Sequence, residues 1–89
     1  MGNINAVPRR IRMSVRVQVL PAGTVLTLTV PSDMTVRELK AVLALQLPGF
    51  PAPKMFIVQD YRVLQDHQVV GAVLAEGSIV VLTRADNTR

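Results

Sequence analysis

The chain contains no cysteine and no tryptophan, and only one of its 89 residues is a histidine. Without cysteine the protein cannot form disulfides, use a thiol nucleophile or build most kinds of zinc site. The single histidine, His67, likewise excludes metal sites made of several histidines. No apolar run approaches the roughly 20 residues that a membrane-spanning helix needs, and no signal peptide is visible. We therefore expect a cytoplasmic or nuclear protein that uses no metal or other cofactor.

Length and composition indicate one small globular domain. The 89 residues are 49% apolar and 18% charged, a balance typical of folded proteins rather than disordered ones. A chain this short has no room for a second independent core. Apolar packing alone therefore has to hold the fold.

The net charge of +4 is concentrated near the N-terminus. Arg9, Arg10 and Arg12 lie within the first twelve residues, which contain no acid, whereas residues 13–89 carry a net charge of +1. DNA-binding domains usually spread positive charge over the fold and use more aromatic side chains than the one Tyr and two Phe here. Neither nucleic acid nor a membrane is the expected partner. A tether that uses Gly2 and these arginines is the alternative.

Alternation of apolar and polar residues predicts a β-hairpin in the first third of the chain. It starts at Met13, stops at residues 20–23, where Pro and Gly favour a turn, and then resumes. Two such runs joined by about four turn residues form a hairpin with one buried face. The positions on that face are Val15, Val17 and Val19 in the first run and Leu26, Leu28 and Val30 in the second.

A helix is predicted from Thr35 to about Leu47. Thr35 stands three residues before Glu38, which is the spacing of a capping box, and Pro48-Gly49 ends the segment. Apolar residues at helical spacing form one stripe, consisting of Val36, Leu39, Leu43 and Leu47. Val42 and Leu45 fall off this stripe. They are either isolated exposed side chains or a second apolar face that binds a partner.

The second half of the chain predicts two or more further strands. Residues 55–58 form a short β-rich run, residues 60–62 form a turn, and residues 79–82 form a strong final strand. Residues 69–74 are apolar but contain Gly71, which fits a short turn or one helical turn. The resulting order, β-β-α-β-β, predicts an α+β fold in which one sheet is covered by one helix.

No catalytic constellation is present in the sequence. Asp60, Asp66 and His67 fall in one loop region, but nothing in the pattern indicates a pocket that would shift their pKa values. No phosphate-binding loop, metal-ligand spacing or nucleotide fingerprint occurs. We therefore interpret these three residues as solvated and expect neither an enzyme nor a small-molecule substrate.

Residues 13–84 resemble the ubiquitin-like, β-grasp family. The resemblance is an ordered series of residues at nearly constant spacing rather than one specific motif. The series comprises Leu20, Gly23, residues 31–33, 35–36, 39–41, 49–51, 57–58 and 64–66, Leu74 and residues 77–80. It implies a mixed sheet of four to five strands packed on one helix. The domain division that follows is a flexible basic arm at 1–12, a ubiquitin-like domain at 13–84 and a flexible tail at 85–89.

The resemblance also assigns directions to side chains. It implies a core of thirteen residues, namely Val15, Val17, Leu26, Leu28, Val30, Val36, Leu39, Leu43, Ile57, Leu64, Leu74, Val80 and Leu82. The family docks its partners on the outer face of the sheet, through an apolar patch of a leucine, an isoleucine and a valine. The matching positions here are Leu20, Val58 and Thr83, and Val81 and Phe56 stand where the family has a histidine and an arginine. The resemblance thus implies five protein-binding residues, namely Leu20, Phe56, Val58, Val81 and Thr83. The alternative is that Phe56 packs against Val81 across the sheet and only stabilises it.

Two departures from the family limit what the resemblance implies. A conjugated modifier needs a Gly-Gly tail, and the 89 residues contain no adjacent glycines. Only Lys40 and Lys54 are available as acyl acceptors; Lys40 matches a largely buried lysine, and Arg62 replaces the family's main chain-linking lysine. Polymeric chains built on this protein are therefore not expected.

We therefore expect a non-conjugated ubiquitin-like domain that docks proteins through its apolar sheet face. The resemblance implies ubiquitin-binding domains or proteasome receptors as partners. One alternative is a modifier with an unusual or truncated C-terminus. Another is weak self-association through Val42, Leu45 and Phe56.

Overall fold

A computed structural model describes residues 11–85, so the predicted arm up to residue 10 and the tail from residue 86 lie outside the described residues. Its elements are β1 (Arg12–Val19), β2 (Thr24–Pro31), α1 (Val36–Gln46), a 3-10 turn (Ala52–Lys54), β3 (Met55–Gln59), β4 (Arg62–Val63), α2 (Val70–Val73) and β5 (Ile79–Arg84). The strands form one sheet in the order β2-β1-β5-β3-β4. The central β1–β5 pair is parallel and the other pairs are antiparallel. This mixed five-stranded sheet with one main helix confirms the predicted α+β fold, and β1 begins one residue before Met13.

The alternation read from the sequence places one face of the sheet in the core. Twelve of the thirteen predicted core residues are buried, and Leu26 is the exception, being half-buried and packed against the core. Leu26 lies on β2, an edge strand that has a neighbouring strand on one side only, so part of its side chain stays in contact with solvent. Four further residues, Met13, Val19, Met55 and Val70, join the core.

Helix α1 begins at the predicted capping box. The Thr35 hydroxyl accepts a hydrogen bond from the Glu38 backbone N–H at 3.2 Å, and the Glu38 carboxylate accepts one from the Thr35 N–H at 2.9 Å. Val36, Leu39 and Leu43 are fully buried against the sheet. Their burial confirms three of the four residues of the predicted stripe, because side chains three and four apart share one face of a helix. The fourth, Leu47, lies one residue past the end of α1 and is half-buried against the core.

The loop after β4 closes the first turn of α1. The N–H groups of Val36 and Arg37 donate to the carbonyls of Gln68 and Asp66 at 2.8 and 3.0 Å. The Lys40 ammonium lies 2.7 Å from the Asp66 carboxylate, and only 12% of the Lys40 side chain is exposed. The family resemblance implied a largely buried Lys40, and this ion pair shows how the charge is accommodated.

Short helix α2 depends on the absence of a side chain at residue 71. The Gly71 N–H donates to the Ser32 carbonyl at 2.8 Å, which ties α2 to the segment between β2 and α1. A Cβ at this position would lie 2.7 Å from that carbonyl oxygen and 2.8 Å from the Ser32 Cβ. Of the two alternatives predicted over residues 69–74, a short turn or one helical turn, the structure has the helical turn, Val70–Val73, and the glycine allows it to pack closely.

Replacing Gly71 with Ala should destabilise the domain, although Ala favours helices by about 1 kcal/mol over Gly. The added methyl meets backbone rather than a flexible side chain, so we expect a net loss of about 1–3 kcal/mol in the free energy of unfolding. Urea denaturation measures it. The matched control is Ala72→Ser, an exposed neighbour whose change should stay within about 0.5 kcal/mol. A stabilised Gly71→Ala variant would contradict the close packing against Ser32.

The Lys40–Asp66 pair should make stability depend on pH on the acid side. The hydrogen bond from Lys40, and then its charge, lower the pKa of Asp66 below its ordinary value. The stabilisation is therefore fully present above the pKa of an unfolded Asp, about 3.9, and is lost as pH falls through the lowered folded pKa. The difference in unfolding free energy between the wild type and Asp66→Asn should be constant near neutral pH and shrink below about pH 4.

A double-mutant comparison tests whether the Lys40 ammonium is the group that lowers the Asp66 pKa. In a Lys40→Met background, Asp66→Asn should no longer change the acid dependence of stability. Persistence of the same acid dependence without Lys40 would show that another group lowers the Asp66 pKa.

Candidate functional site

The outer face of the sheet carries a continuous set of apolar side chains. Because residues alternate along a strand, the buried positions of β3 and β5 force their neighbours to the opposite side. Ile57 is fully buried whereas Phe56 is 43% exposed, so β3 has the orientation expected from the sequence. We define the apolar sheet face as Phe56, Val58, Val63, Ile79 and Val81, with Leu20 and Thr83 at its border.

Strand register brings the centre of this face together. Val58 lies directly opposite Val81 on β5 and opposite Val63 on β4. Phe56 lies opposite Thr83, so Val81 is its diagonal rather than its direct neighbour. Facing residues of antiparallel strands have their Cβ atoms about 4.5–5.5 Å apart, which makes the three valines one row.

Two members of this face were missed by the sequence reasoning. Ile79 and Val63 are each 48% exposed. The outward direction of Ile79 follows from alternation with the buried Val80, so this signal was available in the sequence. Val63 could not be placed in the same way, because β4 is two residues long and its direction depends on the β3–β4 register.

Leu20 lies at the border of the face, where the hairpin turn approaches the end of β5. Its N–H donates to the Leu82 carbonyl at 2.9 Å. A groove of about 700 Å³ opens beside it, between Leu20, Phe50 and Thr83. Arg84 also lines this groove. Its guanidinium donates a hydrogen bond to the Gly49 carbonyl at 2.6 Å and lies 5.9 Å from the Phe50 ring centroid. The five predicted binding residues therefore fall on one side of the sheet, with Leu20 at its margin.

The ionised side chains of the five strands are all arginines, namely Arg12, Arg16, Arg62 and Arg84. Arg16 lies opposite Ile79 in the parallel register and donates to the Gly77 carbonyl at 3.0 and 3.3 Å. The carboxylates of the described chain lie instead in turns, loops and helix α1. Arg12 and Arg16 alternate with buried residues of β1 and so share the outward side, whereas Arg62 and Arg84 lie opposite Gln59 and Met55, at positions that alternate with the outward residues. The positive charge beside the apolar sheet face therefore comes from β1, where the Glu76 carboxylate also accepts a hydrogen bond from the Ser14 N–H.

The structure separates Asp60 from Asp66 and His67, the loop residues that the sequence analysis grouped together. Asp66 pairs with Lys40 and, with His67, lines a groove of about 570 Å³ beside the start of α1, whereas Asp60 lies in the turn between β3 and β4. Across residues 11–85, no group of three or more His, Cys, Asp or Glu side chains is placed to hold a metal ion. No helix in that range is long and apolar enough to cross a membrane.

Two solved structures with a backbone similar to that of this chain are a ubiquitin-like domain and a multi-protein complex. This chain superposes on the UBL domain of Plasmodium falciparum Dsk2 with a TM-score of 0.77 and 24% identity, and the match covers 84% of this chain and 100% of that one. A chain of the pParkin-pUb-UbcH7 complex matches with a TM-score of 0.75 and 20% identity, covering 83% of this chain and 23% of the other. No protein-family model and no curated protein matches the sequence.

Likeness at these identities concerns the path of the backbone, and it agrees with the strand order and helix position found here. The protein has the ubiquitin-like β-grasp fold.

Proposed function

We propose that this domain is a protein-interaction module that docks partners of the ubiquitin system through its apolar sheet face and is not itself conjugated. The observation that carries the proposal is the row of Val81, Val58 and Val63 across three strands, flanked by the exposed Phe56 ring. Contiguous exposed apolar surface of this kind marks sites of protein contact.

Packing within the apolar sheet face does not explain why its outward side chains are apolar. The core is filled from the other side of the sheet, so these outward side chains are not needed to bury the helix. Phe56 faces Thr83 and keeps 43% of its surface exposed. Covering such side chains releases about 25 cal/mol for each Å² of apolar area removed from water, which favours a partner over solvent.

Arg16, which lies opposite Ile79 on the outward side of β1, favours a partner that carries a carboxylate beside its apolar contact. Arginine is the only ionised residue type in the strands, and complementary charge speeds association and selects among partners. The resemblance of residues 13–84 to the ubiquitin-like family makes ubiquitin-binding domains and proteasome receptors the partners to test first.

The lysines of the domain offer little support for polymeric chains built on it. Lys40 is largely buried and paired with Asp66, and Arg62 stands where the family has its main chain-linking lysine. We therefore propose recognition by non-covalent docking.

Val58→Asp should lower affinity for a ubiquitin-binding domain by at least about tenfold, which corresponds to about 1.4 kcal/mol. Val58 lies at the centre of the valine row, so the substitution places a carboxylate in the middle of the apolar contact. Calorimetric titration with a panel of purified ubiquitin-binding domains and proteasome receptor domains measures it. Val63→Asp, on the exposed edge strand β4, is the second variant if Val58→Asp unfolds.

Leu45→Asp is the matched control, because Leu45 is 87% exposed on α1 and lies outside the sheet. It should bind as the wild type does. Loss of binding in Leu45→Asp with retention in Val58→Asp would move the site to the helix. A wild type that binds no member of the panel would refute the proposed partners.

A further inference from the structure

Tyr61 is the most exposed apolar side chain in the described chain. Its exposure is 101% of the reference value, so its ring contributes no packing to the fold. It occupies the second position of the two-residue connection between Gln59 and Arg62, which face each other in the β3–β4 pair. The ring therefore stands at the turn that lies one residue pair beyond Val58 and Val63 along β3 and β4.

The backbone at this turn disfavours a tyrosine. Asp60 and Tyr61 have φ values of +51° and +67°, and two positive φ values in a two-residue hairpin describe a type I′ turn. Such turns prefer Asp-Gly or Asn-Gly, because glycine has no Cβ to clash in the left-handed region. The first position fits this preference and the second does not.

Tyr61 is strained and its side chain packs against nothing, so stabilising the fold does not explain its presence. Backbone strain of this kind concentrates at binding and catalytic sites. We propose that Tyr61 is an aromatic anchor that extends the apolar sheet face past the turn between β3 and β4 and is covered by the bound partner. This inference rests on the proposed function, because it assigns Tyr61 to the same docking surface.

The chemistry of the Tyr61 side chain indicates which kind of partner surface would cover it. A tyrosine presents an apolar ring and a hydroxyl that donates a hydrogen bond, and such residues dominate the energetics of many interfaces. Arg62 follows it directly in the chain. The matching partner is a protein surface with a shallow apolar pocket bordered by a carboxylate, which accepts from the hydroxyl and pairs with the guanidinium.

Tyr61→Gly should change stability and binding in opposite directions. Restoring the Asp-Gly pair relieves the strain, so the thermal midpoint should rise by about 4 °C or more. Affinity for the ubiquitin-binding domain that binds the wild type best should fall about fivefold or more. Tyr61→Phe keeps the ring, and we expect it to retain more affinity than Tyr61→Gly.

Asp60→Gly is the matched control, because it relieves the first positive φ and loosens the turn while keeping the ring. It should bind as the wild type does. Equal losses in Asp60→Gly and Tyr61→Gly would assign the effect to turn rigidity and overturn the anchor. Wild-type affinity in Tyr61→Gly, with loss in Val58→Asp, would overturn the anchor while the proposed function stands. A wild type that binds no domain of the panel would refute both the Tyr61 anchor and the proposed function.

Discussion

The register of β3 between β5 and β4 is the constraint on which the rest of the structure depends. Ile57 faces Leu82 in the core, so Phe56 and Val58 must point away from it. A slip of one residue would exchange the buried and exposed sets, exposing Ile57 and burying Val58. Val58 is paired with Val81 on β5 and with Val63 on β4, so two neighbours set its position, whereas the position of Phe56 is set by Thr83 on β5.

The contacts that close the fold lie on the helix side of the sheet. The capping box at Thr35, the Lys40–Asp66 pair and the close approach of Gly71 to Ser32 all hold the segments around α1 and α2. None of these interactions uses a residue of the apolar sheet face. The molecule therefore separates residues that stabilise the helix against the sheet from residues that are free to contact another protein.

The inward direction of β3 and the full core list were implied by the family resemblance, whereas local sequence patterns were sufficient for the first hairpin and the start of α1. Alternation placed β1 and β2, and the Thr35 and Glu38 spacing located the start of α1. Each of these signals arises within a few residues of chain, where backbone geometry alone determines the direction of a side chain.

Features that depend on distant residues were harder to predict. The Val58–Val63 contact requires the β3–β4 turn, and the pairing of Phe56 with Thr83 rather than Val81 requires the β5 register. The need for glycine at 71 appears only once Ser32 is placed beside it. Tyr61 was recognised as part of a turn, but its strain became evident only from the backbone angles.

Amide chemical-shift mapping during titration with an unlabelled ubiquitin-binding domain tests the role of the sheet face most directly. The largest shift changes should fall on β3, β4 and the outward positions of β5, centred on Val58, with α1 (Val36–Gln46) nearly unchanged. Changes concentrated on α1 or on edge strand β2, with β3 unaffected, would contradict docking through the apolar sheet face.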